Sequence, residues 1–433
     1  MTATTTKRLR IAMLVHRFGC RFGGAEAYVE HLVRELCDRH DVTVVAFDAH
    51  STVDVPVMTI RVPQWLPGWI KAWMFARRAH RLTAGRFDIV HSHMNGWAGD
   101  VQTVHVTPVH YHIKYRGSRL KRFRAFMSIR KQVYLRLERA RFGAGKTAVA
   151  VSRRLSAQMT ACLPLAAPVS VIAPGVMPAL VLPGERHRQR AALGCRDSDM
   201  LCLLVARNAA RKGLATVLHA ASLLPACRFV VVGADAEAHR LLDGAAPTVR
   251  DRVALVPPTA HVAPWYCAAD AYVHPTREDT FGMAPLEAMA YGLPVVVSGA
   301  GHCGLACELE DGVDALLLSD PSSGRELAEK LQRLADQPAL RQQLSTQGRV
   351  RAARQGWRDV AQQYEAIYLA ALSARPPASP AAPENQSSDA PRACPVQAAT
   401  HTATSRQAAS TSGSTRCARR FAGRTACRGP APD

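Results

Sequence analysis

Short apolar runs recur along this chain, separated by stretches of helical periodicity, and that rhythm restricts the fold more than any other feature. The runs at Arg10–His16, Leu201–Ala206 and Phe229–Gly233 are continuously apolar inside, and Val42–Phe47 is broken only by Thr43. Such strands need cover on both faces, which an antiparallel sheet with one wet face does not give. Parallel strands joined by crossover helices do. The expected class is therefore α/β, built on doubly wound parallel sheets.

The rhythm starts twice. In the first half a strand at Arg10–His16 is followed by the Gly-containing loop Gly19–Gly24. A helix at Ala25–Arg39 follows, with Val29, Leu32, Val33 and Leu36 on one face. Further strands are expected at Val42–Phe47, Val57–Val62, Phe87–His91, Val101–His105, Thr147–Ser152 and Val169–Ile172. Pro174-Gly175 and the polar stretch Pro178–Arg190 interrupt the pattern. In the second half strands are expected at Leu201–Ala206, Phe229–Gly233, Val253–Val256, Ala271–His274 and Pro294–Ser298, with helices at Lys212–Leu224 and Gly282–Tyr291. Arg325–Leu334, Pro338–Gln355 and Trp357–Leu372 look like closing helices. The expected domains are 1–178, 179–355, a closing helix 356–373 that packs back on the first domain, and a tail 374–433. The tail is rich in Pro, Ala, Ser, Thr and Arg and has the composition of a disordered segment.

Composition agrees with two cores: 433 residues, 48% of them hydrophobic. The apolar run Ile11–Val15 is too short for a signal-peptide core, and no stretch approaches a transmembrane length, so a cytoplasmic body is expected. Twelve cysteines are scattered without a C-x-x-C pair, which favours reduced thiols over zinc.

In a doubly wound sheet, ligands bind beyond the carboxyl ends of the strands. Arg207, Lys212-Gly213, Pro257–Thr259 and Thr276–Asp279 all fall on that rim. Cations at a helix start oppose the dipole, so Lys212 calls for an anionic partner. The segment Arg277–Pro294 (R-E-D-T-F-G-M-A-P-L-E-A-M-A-Y-G-L-P) reads as a loop entering a helix N-terminus, where free N–H groups and the dipole suit a phosphate. Asp279 and Glu287, eight residues apart, would stand on either side of it. A diphosphate between two carboxylates suits a nucleotide-sugar with a hydroxyl-rich group at each end. A solvated loop acid and a capping acid are the alternative for an isolated pair.

The order acid-x-Phe-Gly, four residues, Glu-Ala-Met-Ala, from Asp279 to Ala290, resembles the donor-binding signature of the family-4 retaining glycosyltransferases. Asp279 stands where most members have Glu, as in the lipopolysaccharide-core glucosyltransferase branch. The A-R-N-A-A-R-K-G segment resembles the family's Arg, four residues, Lys-Gly motif. The resemblance covers roughly Leu9–Leu372. It implies the GT-B fold, two Rossmann-like domains facing across a cleft. It further implies that Arg207 and Lys212 hold the donor diphosphate, Glu287 the ribose hydroxyls and Asp279 the sugar hydroxyls. Thr280, Phe281, Gly282, Met283 and Ala284 would hold phosphate and sugar through backbone groups. Gly23 and Gly24 match the family's Gly-Gly loop, and His105 matches a position near the reacting centre. Catalytic roles are expected of His105 and Asp279.

No metal or cofactor is expected. Asp197-Ser198-Asp199 matches the D-x-D metal motif of another glycosyltransferase fold, but it precedes a strand and reads as a turn. His91/His93 and His110/His112 are paired by spacing only.

The formal charge of +21 is concentrated. Lys114–Lys146 holds twelve Lys and Arg and one acid, Glu138, a net +11, and the tail adds +5. Lys121, Arg122, Phe123, Arg124, Phe126, Arg130 and Lys131 lie in this stretch, with Met127, Ile129, Val133, Tyr134 and Leu137 interleaved. A basic helix with an apolar stripe fits an anionic membrane surface. An amphipathic helix packed on the sheet is the alternative. Nucleic-acid binding lacks a recognition motif.

The expected function is transfer of a sugar, with retention, from a UDP-sugar or similar donor to a lipid-anchored saccharide such as a lipopolysaccharide core. The enzyme would sit on the inner face of the cytoplasmic membrane. The rivals are a nucleotide-sugar epimerase or hydrolase of the same fold, and a non-catalytic membrane-binding protein that retains it. Oligomeric state is not legible.

Overall fold

The computed structural model describes residues 8–374, apart from 119, 121, 122, 125, 126, 144, 181 and 197. The expected tail therefore lies outside the described residues, except Ala374.

Two parallel sheets form. The seven-stranded sheet runs, edge to edge, Val57–Thr59, Asp41–Ala46, Arg10–Leu14, Ile89–Ser92, Val101–Val104, Thr147–Ala150, Ser170–Val171. The six-stranded sheet runs Val253–Val256, Cys227–Val232, Met200–Val205, Ala271–His274, Val295–Ser298, Leu316–Leu318. In both, the first strand of the half lies between its second and fourth. The chain winds outward one way, returns to the middle and winds out the other way, which is the Rossmann arrangement. This is the α/β, GT-B architecture expected from the sequence.

Burial explains the apolar runs. Ile11–Leu14, Leu201–Leu204, Ala271–His274 and Val295–Ser298 are buried throughout, covered by helices on both faces. The helix Gly24–Leu36 buries Val29, Leu32, Val33 and Leu36, the face expected from periodicity.

The last helix, Trp357–Ser373, crosses back to the first half. Val176 N–H donates to Gln355 O at 2.8 Å, just before it begins. A Cβ at Gly175 would sit 2.8 Å from Trp357, so this crossing admits only glycine without a shift. Tyr364 and Tyr368 are fully buried against the first half.

Several elements were not anticipated. Gly68–Thr83 is helical and buries Ala72, Phe75, Ala76 and Ala79. The polar stretch placed at the domain junction contains the helix Glu185–Ala192. That helix belongs with the second sheet: buried Arg190 bridges Asp270 Oδ2 at 2.8 Å and Asp199 O at 2.7 Å.

Candidate active site

Four loops leave strand ends at the points where winding direction reverses, and they converge. In the first half they follow Arg10–Leu14 and Ile89–Ser92. In the second they follow Met200–Val205 and Ala271–His274. A crevice forms at such points because neighbouring crossovers diverge to opposite faces.

The loop after Met200–Val205 is tightly shaped. Asn208 has φ 58, and its Oδ1 accepts the Arg211 N–H at 3.1 Å. Such a local hydrogen bond is what lets Asn occupy the left-handed region. Gly213 has φ +95, and a Cβ there would lie 2.0 Å from Pro275 O. The glycine thus lets the loop press onto the end of the strand Ala271–His274, which brings the Lys212 ammonium to Asp279 Oδ2. The same oxygen bonds His274 Nε2 at 2.9 Å. Burial alone would push the Asp279 carboxyl up. The His274 hydrogen bond and the Lys212 charge outweigh it and hold the group well below the usual carboxylate range. The anion that Lys212 called for is thus supplied by the protein itself.

Beyond Asp279 the chain enters the helix Met283–Ala290. Thr280 is held on both sides by the first half: its Oγ1 donates to His105 O at 2.7 Å, and its carbonyl accepts from Ser152 Oγ at 2.6 Å. Phe281 is buried and anchors the turn. Gly282, at φ +107, precedes the helix, and a Cβ there would meet Cys303 Sγ at 2.8 Å. A Cβ on Gly24 would lie 3.8 Å from Met283 Sδ. The N-termini of Gly24–Leu36 and Met283–Ala290 therefore meet, each bringing unpaired N–H groups and the positive end of its dipole. One turn in, Glu287 accepts from Tyr266 OH at 2.8 Å, and Ala284 O accepts from the same hydroxyl at 3.3 Å. Burial pushes the Glu287 carboxyl up, against that hydrogen bond.

Arg207 and Lys212 reach different partners. Its guanidinium crosses to the first half and donates to the carbonyls of Arg21 and Phe22, next to Gly23 and Gly24. This contact is exposed, so a bound anion would compete with it. Glu278 makes another crossing. It accepts from Thr107 Oγ1 at 2.8 Å and pairs with the Arg116 guanidinium.

His105 follows the strand Val101–Val104 and hydrogen-bonds His93, Nε2 to Nδ1, at 2.8 Å. Burial, with a smaller contribution from Arg141, pushes its pKa down to about 3, so the ring is neutral at ordinary pH. Tyr266, His274 and His93 were not among the expected site residues. His274 and His93 both sit at strand ends on the ligand-binding rim, which was the available signal. Tyr266 had none, because its role depends on a helix packing beside Glu287.

The basic segment departs from a single amphipathic helix. Ser128 has extended backbone and caps a separate helix, Ile129–Ala140. Val133, Tyr134 and Leu137, read as part of an outward stripe, pack instead with Ala72, Ala76 and Trp97. Arg141 is buried, donating to Gln102 Oε1 at 3.1 Å and to Thr103 O. Lys146 caps Ala140 O at 3.0 Å. These two cations serve the fold. The outward apolar groups are Phe123, Met127 and Ile129, 64%, 67% and 72% exposed, with Arg124 and Arg130 also exposed and Lys131 half-buried. Lys121, Arg122 and Phe126 lie outside the described residues. No helix among the described residues is long and apolar enough to cross a membrane.

Asp197 also lies outside the described residues. Asp199 is buried under Arg196 and Arg228, at the strand end opposite the crevice. Among the described residues no group of three or more His, Cys, Asp or Glu is placed to hold a metal ion.

Residues 22–180 match the family described as Glycosyltransferase Family 4, and residues 200–337 match Glycosyl transferases group 1. A D-inositol 3-phosphate glycosyltransferase from Frankia alni is 37% identical over 222 residues, 47% of this chain and 54% of that protein. One from Catenulispora acidiphila is 32% identical over 220 residues, 47% of this chain and 52% of its own length. The chain thus spans about half the length of these curated relatives. The crystal structure of WaaG, a glycosyltransferase involved in lipopolysaccharide biosynthesis, superposes with a TM-score of 0.70 at 22% identity, covering 83% of this chain and 99% of that one. Anabaena Alr3699/HepE in complex with UDP and glucose gives 0.66 at 18%, covering 85% and 100%. At these identities the two structures speak for the fold.

Proposed function

Because this chain belongs to the group 1 and family 4 glycosyltransferases, we propose that it moves a sugar from a nucleotide-diphosphate donor, a UDP-sugar, to an acceptor hydroxyl with retention at the anomeric carbon. The observation that carries this reading is the meeting of two helix N-termini between Lys212–Asp279 on one side and Glu287 on the other. The free N–H groups of Gly282–Ala284 and the two dipoles would receive the diphosphate, with Lys212 and Arg207 adding charge and no metal taking part. Glu287, set by Tyr266, would bind the ribose hydroxyls, and Asp279 the sugar hydroxyls. Stabilisation of the departing diphosphate would be the main source of rate. As the anomeric carbon–oxygen bond to the diphosphate breaks and the bond to the acceptor oxygen forms, the acceptor hydroxyl would pass its proton to the departing diphosphate oxygen. The neutral His105 ring would orient a hydroxyl rather than donate a proton from a cationic state.

The test is a thermal-shift series with UDP, GDP, ADP and their sugars. A ligand that binds only the folded state raises Tm by mass action. UDP and a UDP-sugar are expected to raise it by several degrees, about 4 kcal/mol of binding at a thousandfold excess over Kd. The shift should vanish in Glu287→Ala. A folded protein that responds to no nucleotide would sink the reading.

For the acceptor we propose a lipid-anchored saccharide of cell-envelope synthesis, reached from the inner face of the cytoplasmic membrane. The exposed Phe123, Met127 and Ile129 among arginines support it. Flotation with anionic liposomes should occur at low salt and fall steeply by 0.5 M salt. Equal binding to neutral liposomes, or none, would count against it. A phosphorylated polyol is the second reading, favoured by the name of the curated relatives. Product formation from inositol phosphate, without lipid, would favour it.

A further inference from the structure

Beneath the crevice a buried polar cluster runs from the closing helix up to His105. His91 bonds Tyr368 OH through Nδ1 and Thr103 Oγ1 through Nε2, both at 2.7 Å. Thr103 Oγ1 meets Tyr364 OH at 2.8 Å, and that hydroxyl meets Tyr28 OH at 2.9 Å. The His93 ring packs 4.3 Å from His91, and His105 stacks on His93 at 5.1 Å. The closing helix, through Tyr364 and Tyr368, thus fixes His91, which braces His93, which touches His105.

The partners of His93 settle where its proton lies. A neutral imidazole has one N–H donor and one acceptor nitrogen. Among the described residues Nε2 of His93 meets Met13 Sδ at 3.2 Å, and Nδ1 meets His105 Nε2 at 2.8 Å. Thioether sulfur accepts a hydrogen bond and cannot donate one. Placing the proton on Nε2 satisfies both contacts; placing it on Nδ1 sets a lone pair against a sulfur lone pair. His93 Nδ1 is then an acceptor, and His105 Nε2 must carry the hydrogen. His105 Nδ1 keeps its lone pair. Nε2 faces buried His93 while His105 as a residue is half-buried, which leaves Nδ1 as the nitrogen turned toward a ligand.

We propose that His93 is a positioning residue that locks His105 in the Nε2–H tautomer, presenting an Nδ1 lone pair to a substrate hydroxyl in the crevice. The consequence for turnover rests on the glycosyl-transfer reading; the tautomer does not. The acceptor at Nδ1 separates this role from packing. His93→Phe keeps the ring but removes the acceptor. His93→Asn loses volume but can place Oδ1 where Nδ1 stood.

The experiment is ¹⁵N-histidine NMR of the full chain, paired with kinetics of the two variants. His105 should show the Nε2–H pattern in the parent protein and a tautomer mixture in His93→Phe. His93→Phe should lose about 10- to 100-fold in kcat with donor KM little changed, and His93→Asn should recover most of it. An Nδ1–H pattern for His105 in the parent protein overturns the proposal. So does a kcat order with Phe above Asn, which is what packing alone would give. Full turnover in His105→Ala would instead overturn the role given to His105 under the glycosyl-transfer reading.

Discussion

Replacing Lys212 by alanine is expected to lower kcat/KM for the donor about 10²- to 10³-fold and to destabilise the fold by about 2–4 kcal/mol. The two effects have separate causes. Without donor, Lys212 neutralises Asp279, whose carboxylate among the described residues is otherwise held by His274 alone, in a largely enclosed place. Removing one member of such a pair leaves the other charge uncompensated. Both side chains keep slight solvent contact, 13% and 17%, which puts the stability loss below the range for full burial. With donor bound, the same ammonium would add positive charge beside the diphosphate at the helix start. The double variant Lys212→Ala/Asp279→Asn should therefore recover most of the stability and little of the turnover. Denaturant titrations and initial rates on the three proteins separate the terms. If Lys212→Ala is as active as the parent, the diphosphate site is misplaced.

Acidification from pH 7.5 to 5.5 is expected to remove about 4–6 kcal/mol of folding stability, before most carboxylates protonate. Burial pushes His16 down to about 4 and His105 down to about 3, and holds His91 and His93 well below the ordinary value of 6.5. Folded-state values lie below unfolded ones, so the unfolded chain binds protons first as pH falls. The stabilisation is fully present above 6.5, declines as pH drops below it, and is exhausted once each folded-state value is passed. At pH 5.5 each ring contributes about 1.4 kcal/mol of this loss, and four contribute the sum above as an upper figure. Asp279, with its carboxyl depressed, adds a further loss only at lower pH. Denaturant midpoints at the two pH values measure it. Stability that is flat or higher at pH 5.5 would mean that the buried cluster is hydrated or already charged.

Legibility in the sequence followed locality. The strands Val253–Val256 and Ala271–His274 form over the expected residues, because a short apolar run covered on both faces has few alternatives. The helix Gly68–Thr83 escaped notice because alanines supply much of its buried face, and they stand out poorly from their neighbours. Leu316–Leu318 is three residues long and becomes a strand only by pairing with Val296–Ser298. In the candidate site, Lys212 could be read from one motif and Asp279, Gly282 and Glu287 from a second, each with local spacing. What Arg207, Glu278 and His105 touch could not. Their partners lie 185, 171 and 12 residues away and meet them only once the chain has folded. Val133, Tyr134 and Leu137 show the reverse failure: a periodic apolar stripe says that a face is covered, not by what.

Asp279 and Glu278 are adjacent in the chain but pair with different halves of the fold. Asp279 faces Lys212 within its own half, while its neighbour Glu278 binds Thr107 and Arg116 of the other. One turn of chain thereby ties the loop before the helix Met283–Ala290 to the segment that leads into the basic region.

The central claim is that this crevice transfers a sugar from a UDP-sugar with retention. Proton NMR of the product tests it most directly, with UDP-glucose or UDP-N-acetylglucosamine supplied beside a lipid-anchored saccharide. The account predicts a new α-linkage, the anomeric configuration of the donor, formed without added metal and lost in Lys212→Ala. A β-linked product, or UDP release with no sugar transferred to any acceptor, would contradict it.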